Sequence, residues 1–191
     1  MPFDFGRPMV AVFCGSRRGH DPLFASAARE TGEEIARAGA GLVYGGGNIG
    51  LMGVVADAVL AAGAPVYGVI PESLAAKEVA HGGLTRLDVV ESMHERKARI
   101  SAAASGFLAL PGGLGTLDEF FEIVTWKQLG HHDRPIVILN AGGFFEPLLS
   151  TVAKMTADGF VSDPARLFTV SPTPADAVRM ALGVPIASRL A

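Results

Sequence analysis

Pro111-Gly112-Gly113-Leu114-Gly115-Thr116-Leu117-Asp118-Glu119 combines the ingredients of an anion site with a carboxylate close by. The segment follows the apolar run 106–110 and opens into the helical pattern 120–128, so a strand is expected to pass through glycines directly into a helix. Glycines let the backbone approach an anion closely, and the free N–H groups and dipole of a helix N-terminus favour negative charge there. Glu119 in the first turn would then stand beside whatever carries a phosphate. The same residues have a plainer reading. Thr116-x-x-Glu119 fits a capping box, in which each side chain satisfies a backbone N–H at the helix start. The preceding glycine pair, which a cap does not need, favours the anion site.

A second constellation is Glu91-Ser92-Met93-His94-Glu95-Arg96-Lys97-Ala98-Arg99-Ile100. Arg96 could grip a phosphate or carboxylate with its planar fork, and Lys97 as a mobile point charge. Taken alone, the run reads as a solvated helix face with Glu95 and Arg99 paired at i, i+4. His94-Glu95 resembles a metalloprotease motif, but Ala98 stands where the second histidine is required, so zinc is rejected. His131-His132 reads as a solvated turn before Pro135. Gly45-Gly46-Gly47-Asn48-Ile49-Gly50 resembles a dinucleotide fingerprint with the wrong spacing, and the next strand, Tyr67-Gly68-Val69-Ile70, offers no acid for a ribose.

The elements that must position these residues alternate between short β-rich runs and longer amphipathic stretches. Most strands are apolar throughout, as a parallel sheet covered on both faces requires. The class is α/β: a doubly wound parallel sheet of about seven strands with helices on both faces, in one domain over 1–191. Strands are expected near 8–13, 41–44, 65–70, 86–90, 106–110, 135–139 and 167–170, and helices near 21–38, 50–62, 92–104, 116–129, 144–158 and 174–181. Asp21-Pro22 supplies an N-cap with proline at the first helical position, and Gly39 a stop. Residues 71–85 read as a loop with one short helical turn, the longest irregular stretch. Glycine turns follow three strands, at Gly15-Ser16, Gly45–Asn48 and Pro111–Gly113, and ligands in open α/β sheets bind at the carboxyl ends of strands.

Composition narrows the partners. The 191 residues are 49% hydrophobic and 18% charged, with a formal net charge of −3, which gives no basic footprint for a nucleic-acid polymer. The single cysteine, Cys14, lies in an apolar run and reads as inert core. No apolar stretch approaches the ~18 residues of a membrane span, and the N-terminus lacks a basic segment followed by an apolar one, so a cytoplasmic protein is expected.

Taken together, Val43–Gly53, Ser92–Ala98 and Pro111–Glu119 resemble the Lonely Guy family of cytokinin riboside 5′-monophosphate phosphoribohydrolases, in the family's order and with similarity from Val12 to Leu139. The resemblance implies a Rossmann-like homodimer that hydrolyses the N-glycosidic bond of an adenosine 5′-monophosphate, plain or N6-modified, to free base and ribose 5-phosphate, with neither metal nor organic cofactor. It implies Arg96 and Glu119 as the catalytic pair. It further implies substrate contacts from Ser16, Gly46, Gly47, Glu78, Lys97, Gly112, Gly113, Leu114, Gly115, Thr116 and Thr125. Asn48, Leu114 and Ala80-His81-Gly82-Gly83 depart from the family pattern, which bears on base preference more than on the reaction. Cleavage builds positive charge on the ribose, which a carboxylate at Glu119 would stabilise while Arg96 holds it. Relatives of this kind have been labelled lysine decarboxylases, but Lys77, Lys97, Lys127 and Lys154 show no pyridoxal phosphate pattern. The alternative from another class is a non-enzymatic carrier of a phosphorylated ligand such as molybdenum cofactor.

Overall fold

The computed structural model describes residues 5–75 and 79–184. Its elements run β1 (Met9–Phe13), α1 (Pro22–Arg37), β2 (Gly41–Tyr44), α2 (Gly50–Ala61), β3 (Val66–Pro71), α3 (Glu72–Ala75), β4 (Arg86–Val90), α4 (Met93–Ala103), β5 (Gly106–Ala109), α5 (Leu114–Gln128), β6 (Ile136–Leu139), α6 (Glu146–Ala157), β7 (Thr169–Ser171) and α7 (Pro174–Ala181). Short 3₁₀ turns occupy Ala141–Gly143 and Pro164–Arg166. The seven strands form one parallel sheet in the order β4-β3-β2-β1-β5-β6-β7. This is the expected doubly wound class.

Alternation along the strands divides the interior in two. From β1, Val10 and Val12 point to the face covered by α1, α2 and α7, among Leu42, Tyr44, Val55, Val59 and Val178. Met9, Ala11 and Phe13 point the other way, among Ile100 of α4, Phe120 and Ile123 of α5, and Phe107 and Ile138. Both faces are dry, which is why the central strands carry no polar alternation. Burying a side chain such as Phe107 or Phe120 is worth roughly 1.5–3 kcal/mol. The edges are built differently. Val89 of β4 and Val170 of β7 are exposed, β7 has only three residues, and β4 carries Arg86 and Asp88, devices that blunt an edge against further pairing. Asp88 accepts from Arg86 (2.8 Å), Arg99 (2.9 Å) and Tyr67 (2.7 Å). The Arg86 hydrogen bond, helped by Tyr67, holds the Asp88 carboxyl below its ordinary range, and burial with the Asp88 bond pushes Tyr67 up to about 12.

Asp21 caps α1 as expected, accepting from Leu23 N at 2.8 Å with Pro22 behind it. Gly32 lets α1 press on α2, since a Cβ there would lie 2.7 Å from Val55 O and from Ala58 Cβ. The stretch after β3 holds the expected short helical turn, α3, and residues 79–81 return to pair with the Gly46–Asn48 loop. Two boundaries move. The strand expected at 167–170 is β7 at Thr169–Ser171, because Pro164–Arg166 winds into a 3₁₀ turn. The helix expected from 116 begins at Leu114.

The order of strands reverses at β1. The chain leaves it through β2, β3 and β4 on one side, then crosses back to place β5 on the other. The loops after β1 and β5 therefore diverge from adjacent strand ends and leave a crevice, the position where α/β sheets bind ligands.

Candidate active site

The crevice between the β1–α1 and β5–α5 loops is a cavity of about 470 Å³. Its floor is backbone. Leu110 N donates to Phe13 O (2.9 Å) and Gly15 N to Pro111 O (3.1 Å), so the two loops are tied together before they part. Glycine is required at the tie. A Cβ at Gly15 would sit 2.9 Å from Arg17 O, and one at Gly112 would overlap the Thr116 hydroxyl. Gly113 and Gly115 differ, because a Cβ on either would meet nothing within 4 Å. Both line the cavity, so their missing side chains leave space for a ligand to reach the backbone.

Gly113 is the N-cap of α5, and no side chain accepts from the amides of the first turn. These donors and the helix dipole face the cavity. Thr116 and Glu119 do not occupy the positions of a capping box. Because α5 starts at Leu114, Thr116 already lies within the first turn, is 4% exposed and packs against Gly112. Glu119 stands a turn further on, free of any capping position and on the cavity wall. A side-chain cap does occur at α4, where Ser92 Oγ accepts from Glu95 N (3.1 Å), while the Glu95 carboxylate reaches back to Glu91 N (3.3 Å), one residue before the cap.

Arg96, in the first turn of α4, is 5% exposed and enters the cavity from the other side. Its Nη2 lies 3.9 Å from Glu119 Oε1 and donates to Gly45 O at 3.4 Å. A Cβ on Gly45 would collide with this guanidinium. The glycine run after β2 thus makes room for an arginine, a use different from the dinucleotide turn it resembles. Arg99, one turn on, pairs with Glu95 at 2.6 Å as the solvated-face reading expects. That reading fails for Arg96, which is buried where the helix faces the sheet.

Ser16, Gly112, Gly113, Leu114, Gly115, Thr116, Arg96 and Glu119 are brought together around the cavity. Lys97, Gly46, Gly47 and Thr125 do not line it. Lys97 Nζ is held by Asp118 (2.7 Å) and Glu122 (3.3 Å); burial opposes its charge, but these carboxylates more than offset that and keep its pKa above the usual lysine value. Gly46 and Gly47 pair with the 79–81 segment, through Gly46 O to His81 N (3.0 Å) and an isolated bridge between Gly47 and Ala80. Thr125 is exposed on α5, about 16 Å along the helix from Leu114 at ~1.5 Å per residue. Glu78 and Lys77 lie outside the described residues.

Several lining residues carry no signal in spacing. Phe24 and Phe144, 5.5 Å apart and edge to face, form an apolar wall with Leu51, Met52 and Met93. Arg17 and Arg18 stand at the rim. Their position directly after Gly15-Ser16, past the first strand, was a readable cue. Cys14 forms part of the floor, where burial and the nearby Glu119 carboxylate push its thiol far above the ordinary range, which leaves it inert as expected. His132 departs from its expectation of a solvated turn. Its Nε2 lies 3.1 Å from Ile123 O, its ring packs 5.3 Å from Phe107, and burial lowers its pKa. Among the described residues no three His, Cys, Asp or Glu side chains are arranged to hold a metal ion. Pyridoxal phosphate finds no fit either, because no lysine among the described residues lines the cavity.

The protein-family model described as "Possible lysine decarboxylase" matches residues 52–181. A probable cytokinin riboside 5′-monophosphate phosphoribohydrolase of Oryza sativa subsp. japonica is 44% identical over 87% of this chain and 74% of its own length. The cytokinin riboside 5′-monophosphate phosphoribohydrolase of Rhodococcoides fascians is 47% identical over 82% of this chain and 80% of its own. Among solved structures, the molybdenum cofactor carrier protein of Chlamydomonas reinhardtii superposes with a TM-score of 0.69 over 93% of this chain and 98% of its own, at 20% identity, which is a likeness of fold alone. With the glycine-cradled helix start, the buried arginine and the facing glutamate all in place, these identities show that the chain belongs to the Lonely Guy family, whose named members are cytokinin riboside 5′-monophosphate phosphoribohydrolases.

Proposed function

We propose that this protein hydrolyses the N-glycosidic bond of an adenosine 5′-monophosphate, plain or N6-modified, releasing the base and ribose 5-phosphate. The observation that carries the reading is the Arg96–Glu119 pair, 3.9 Å apart in one cavity with the uncapped start of α5. The first-turn amides receive the 5′-phosphate, and the ribose then lies along α5 toward Glu119, one turn away. Leu51, Met52, Met93 and the Phe24–Phe144 wall offer the base an apolar surface.

In the reaction, water adds at the anomeric carbon as the bond to the base nitrogen breaks. The bond's electron pair leaves with the base, which takes up the proton that water loses. The developing positive charge on the ribose is stabilised by the Glu119 carboxylate, which also orients the water. Arg96, desolvated and seated on Gly45, fixes that carboxylate and contacts the substrate. Phosphate binding supplies positioning energy remote from the broken bond. Lys97 holds α4 to α5 through Asp118 and Glu122 and so keeps Arg96 and Glu119 in register.

The proposal includes a homodimer, a single nucleotide-monophosphate-binding domain and a cytoplasmic location. Leu114 (86% exposed), Phe121 and Leu129 (66%) form an apolar stripe along α5, of a kind a second copy would cover. Thr125 lies on the same outward side, so a substrate contact from it would belong to the second copy's cavity. Gly46 and Gly47 act through the 79–81 segment they hold, which follows Glu78 in sequence. The carrier alternative has only the fold in its favour. Incubation with isopentenyladenosine 5′-monophosphate decides between them: repeated turnover to free base supports the hydrolase, and stoichiometric retention without base release supports a carrier.

A further inference from the structure

The cavity has a charge problem that its assigned residues do not solve. A phosphomonoester carries about −1.5 to −2 charges at pH 7. Helix α5 offers it roughly half a positive charge. Arg96 faces Glu119 at 3.9 Å, and Lys97 is engaged by Asp118 and Glu122. Without the β1–α1 loop, this side of the site therefore holds two cations, Arg96 and Lys97, against three carboxylates, Asp118, Glu119 and Glu122. A dianion entering such a site would meet net negative charge.

Arg17 and Arg18 reverse that balance. Both line the cavity from the side opposite α5, both are exposed, and neither has an ion-pair partner among the described residues. Their backbone is held in place. Gly15 N donates to Pro111 O (3.1 Å), Leu51 N donates to Gly15 O (2.9 Å), and Gly50, at φ +63°, packs so closely on Ser16 and Arg17 that a Cβ there would overlap them. The arginines thus stand on a backbone clamped to the loop after β5 on one side and to α2 on the other. Arg17 borders this crevice alone and Arg18 borders both it and a neighbouring groove that holds Glu33 and Asp57, and two guanidinium forks within reach of the crevice match the oxygens of a phosphate.

We propose that Arg17 and Arg18 are the cationic half of a phosphate-recognition site. They close on the 5′-phosphate from the β1–α1 side while the α5 amides hold it from the other, and they set the preference for the monophosphate over the unphosphorylated nucleoside. This rests on the phosphoribohydrolase reading of the cavity. The test is calorimetric titration with ribose 5-phosphate of the unaltered protein, Arg17→Ala, Arg18→Ala, the double alanine variant and the double lysine variant. Thermal melts accompany it to confirm that these surface changes leave the fold intact. Each alanine weakens binding about tenfold and the pair about a hundredfold, with partial recovery in the lysine variant, which keeps charge without the fork. Steady-state rates place the loss in KM for the monophosphate more than in kcat. A double alanine variant that binds ribose 5-phosphate as tightly as the unaltered protein overturns the proposal, as does unaltered protein that does not bind it. If binding falls as stated but no base is ever released, the hydrolase reading fails while the phosphate assignment stands.

Discussion

Glu119 and Arg96 matter to each other because both are largely withdrawn from solvent. A guanidinium 5% exposed would be costly to bury alone, and the facing carboxylate compensates it while remaining on the cavity wall. Glu119→Gln keeps the shape and removes the charge, so it should lower turnover about 10²–10⁴-fold in a protein that still folds but melts lower, because the Arg96 guanidinium loses its compensating carboxylate. Gly45→Ala tests the seat of Arg96: the added methyl displaces the guanidinium, and activity should fall at least about tenfold although residue 45 does not line the cavity. Turnover equal to the unaltered protein would show that Arg96 does not need that seat. His132 offers a pH test away from the site. Burial lowers its pKa, so the unfolded chain binds the proton more readily. The stability its neutral form contributes is present above the unfolded value near 6.5 and is lost as pH falls through and below it. His132→Gln retains a donor for Ile123 O and does not titrate. Its melting temperature should decline less than the unaltered protein's between pH 7 and pH 5, and parallel declines would contradict the assignment.

At the scale of elements, the site depends on where two helices begin. Helix α5 begins on Gly113 with no side-chain cap, which leaves its amides for a ligand, whereas α4 begins on Ser92, whose hydroxyl accepts from Glu95 N. The motif for a capped start is legible at both places, and only the backbone shows which helix uses it. Thr116-x-x-Glu119 misleads because a cap forms only if the helix begins after the threonine, and the packing of Thr116 on Gly112 draws it into the first turn. Gly112→Ser should therefore be more damaging than Gly113→Ser, since the first drives a side chain into Thr116 and the Gly15 backbone and the second meets open space. The expected readout is a loss of about 1–3 kcal/mol in denaturant-midpoint stability for Gly112→Ser and less for Gly113→Ser, whose effect falls on ligand binding. The strands were legible because burial on both faces leaves runs such as Val66–Ile70 and Gly106–Leu110 apolar throughout. The role of Gly45–Gly47 was not, because making room for Arg96 depends on a residue 51 positions away along the chain.

For the whole molecule, the doubly wound topology does most of the positioning. Reversal of strand order at β1 places Gly15–Gly19 opposite Pro111–Glu119, segments about a hundred residues apart that no local pattern links. The Phe24–Phe144 wall is invisible in the sequence for the same reason, while the three glycine turns at strand ends announce the crevice without its lining. The outward α5 stripe makes a prediction at this scale. Phe121→Glu with Leu129→Glu should convert a dimer into monomers by light scattering, and activity should fall if Thr125 serves the second copy's cavity. The central claim, that one cavity cleaves a phosphorylated nucleoside with Glu119, is tested most directly by chromatography of base released from adenosine 5′-monophosphate and isopentenyladenosine 5′-monophosphate, each beside its unphosphorylated nucleoside. Release from the monophosphates alone, abolished in Glu119→Gln, is the predicted result; equal release from the nucleosides, or undiminished release by the variant, would contradict it.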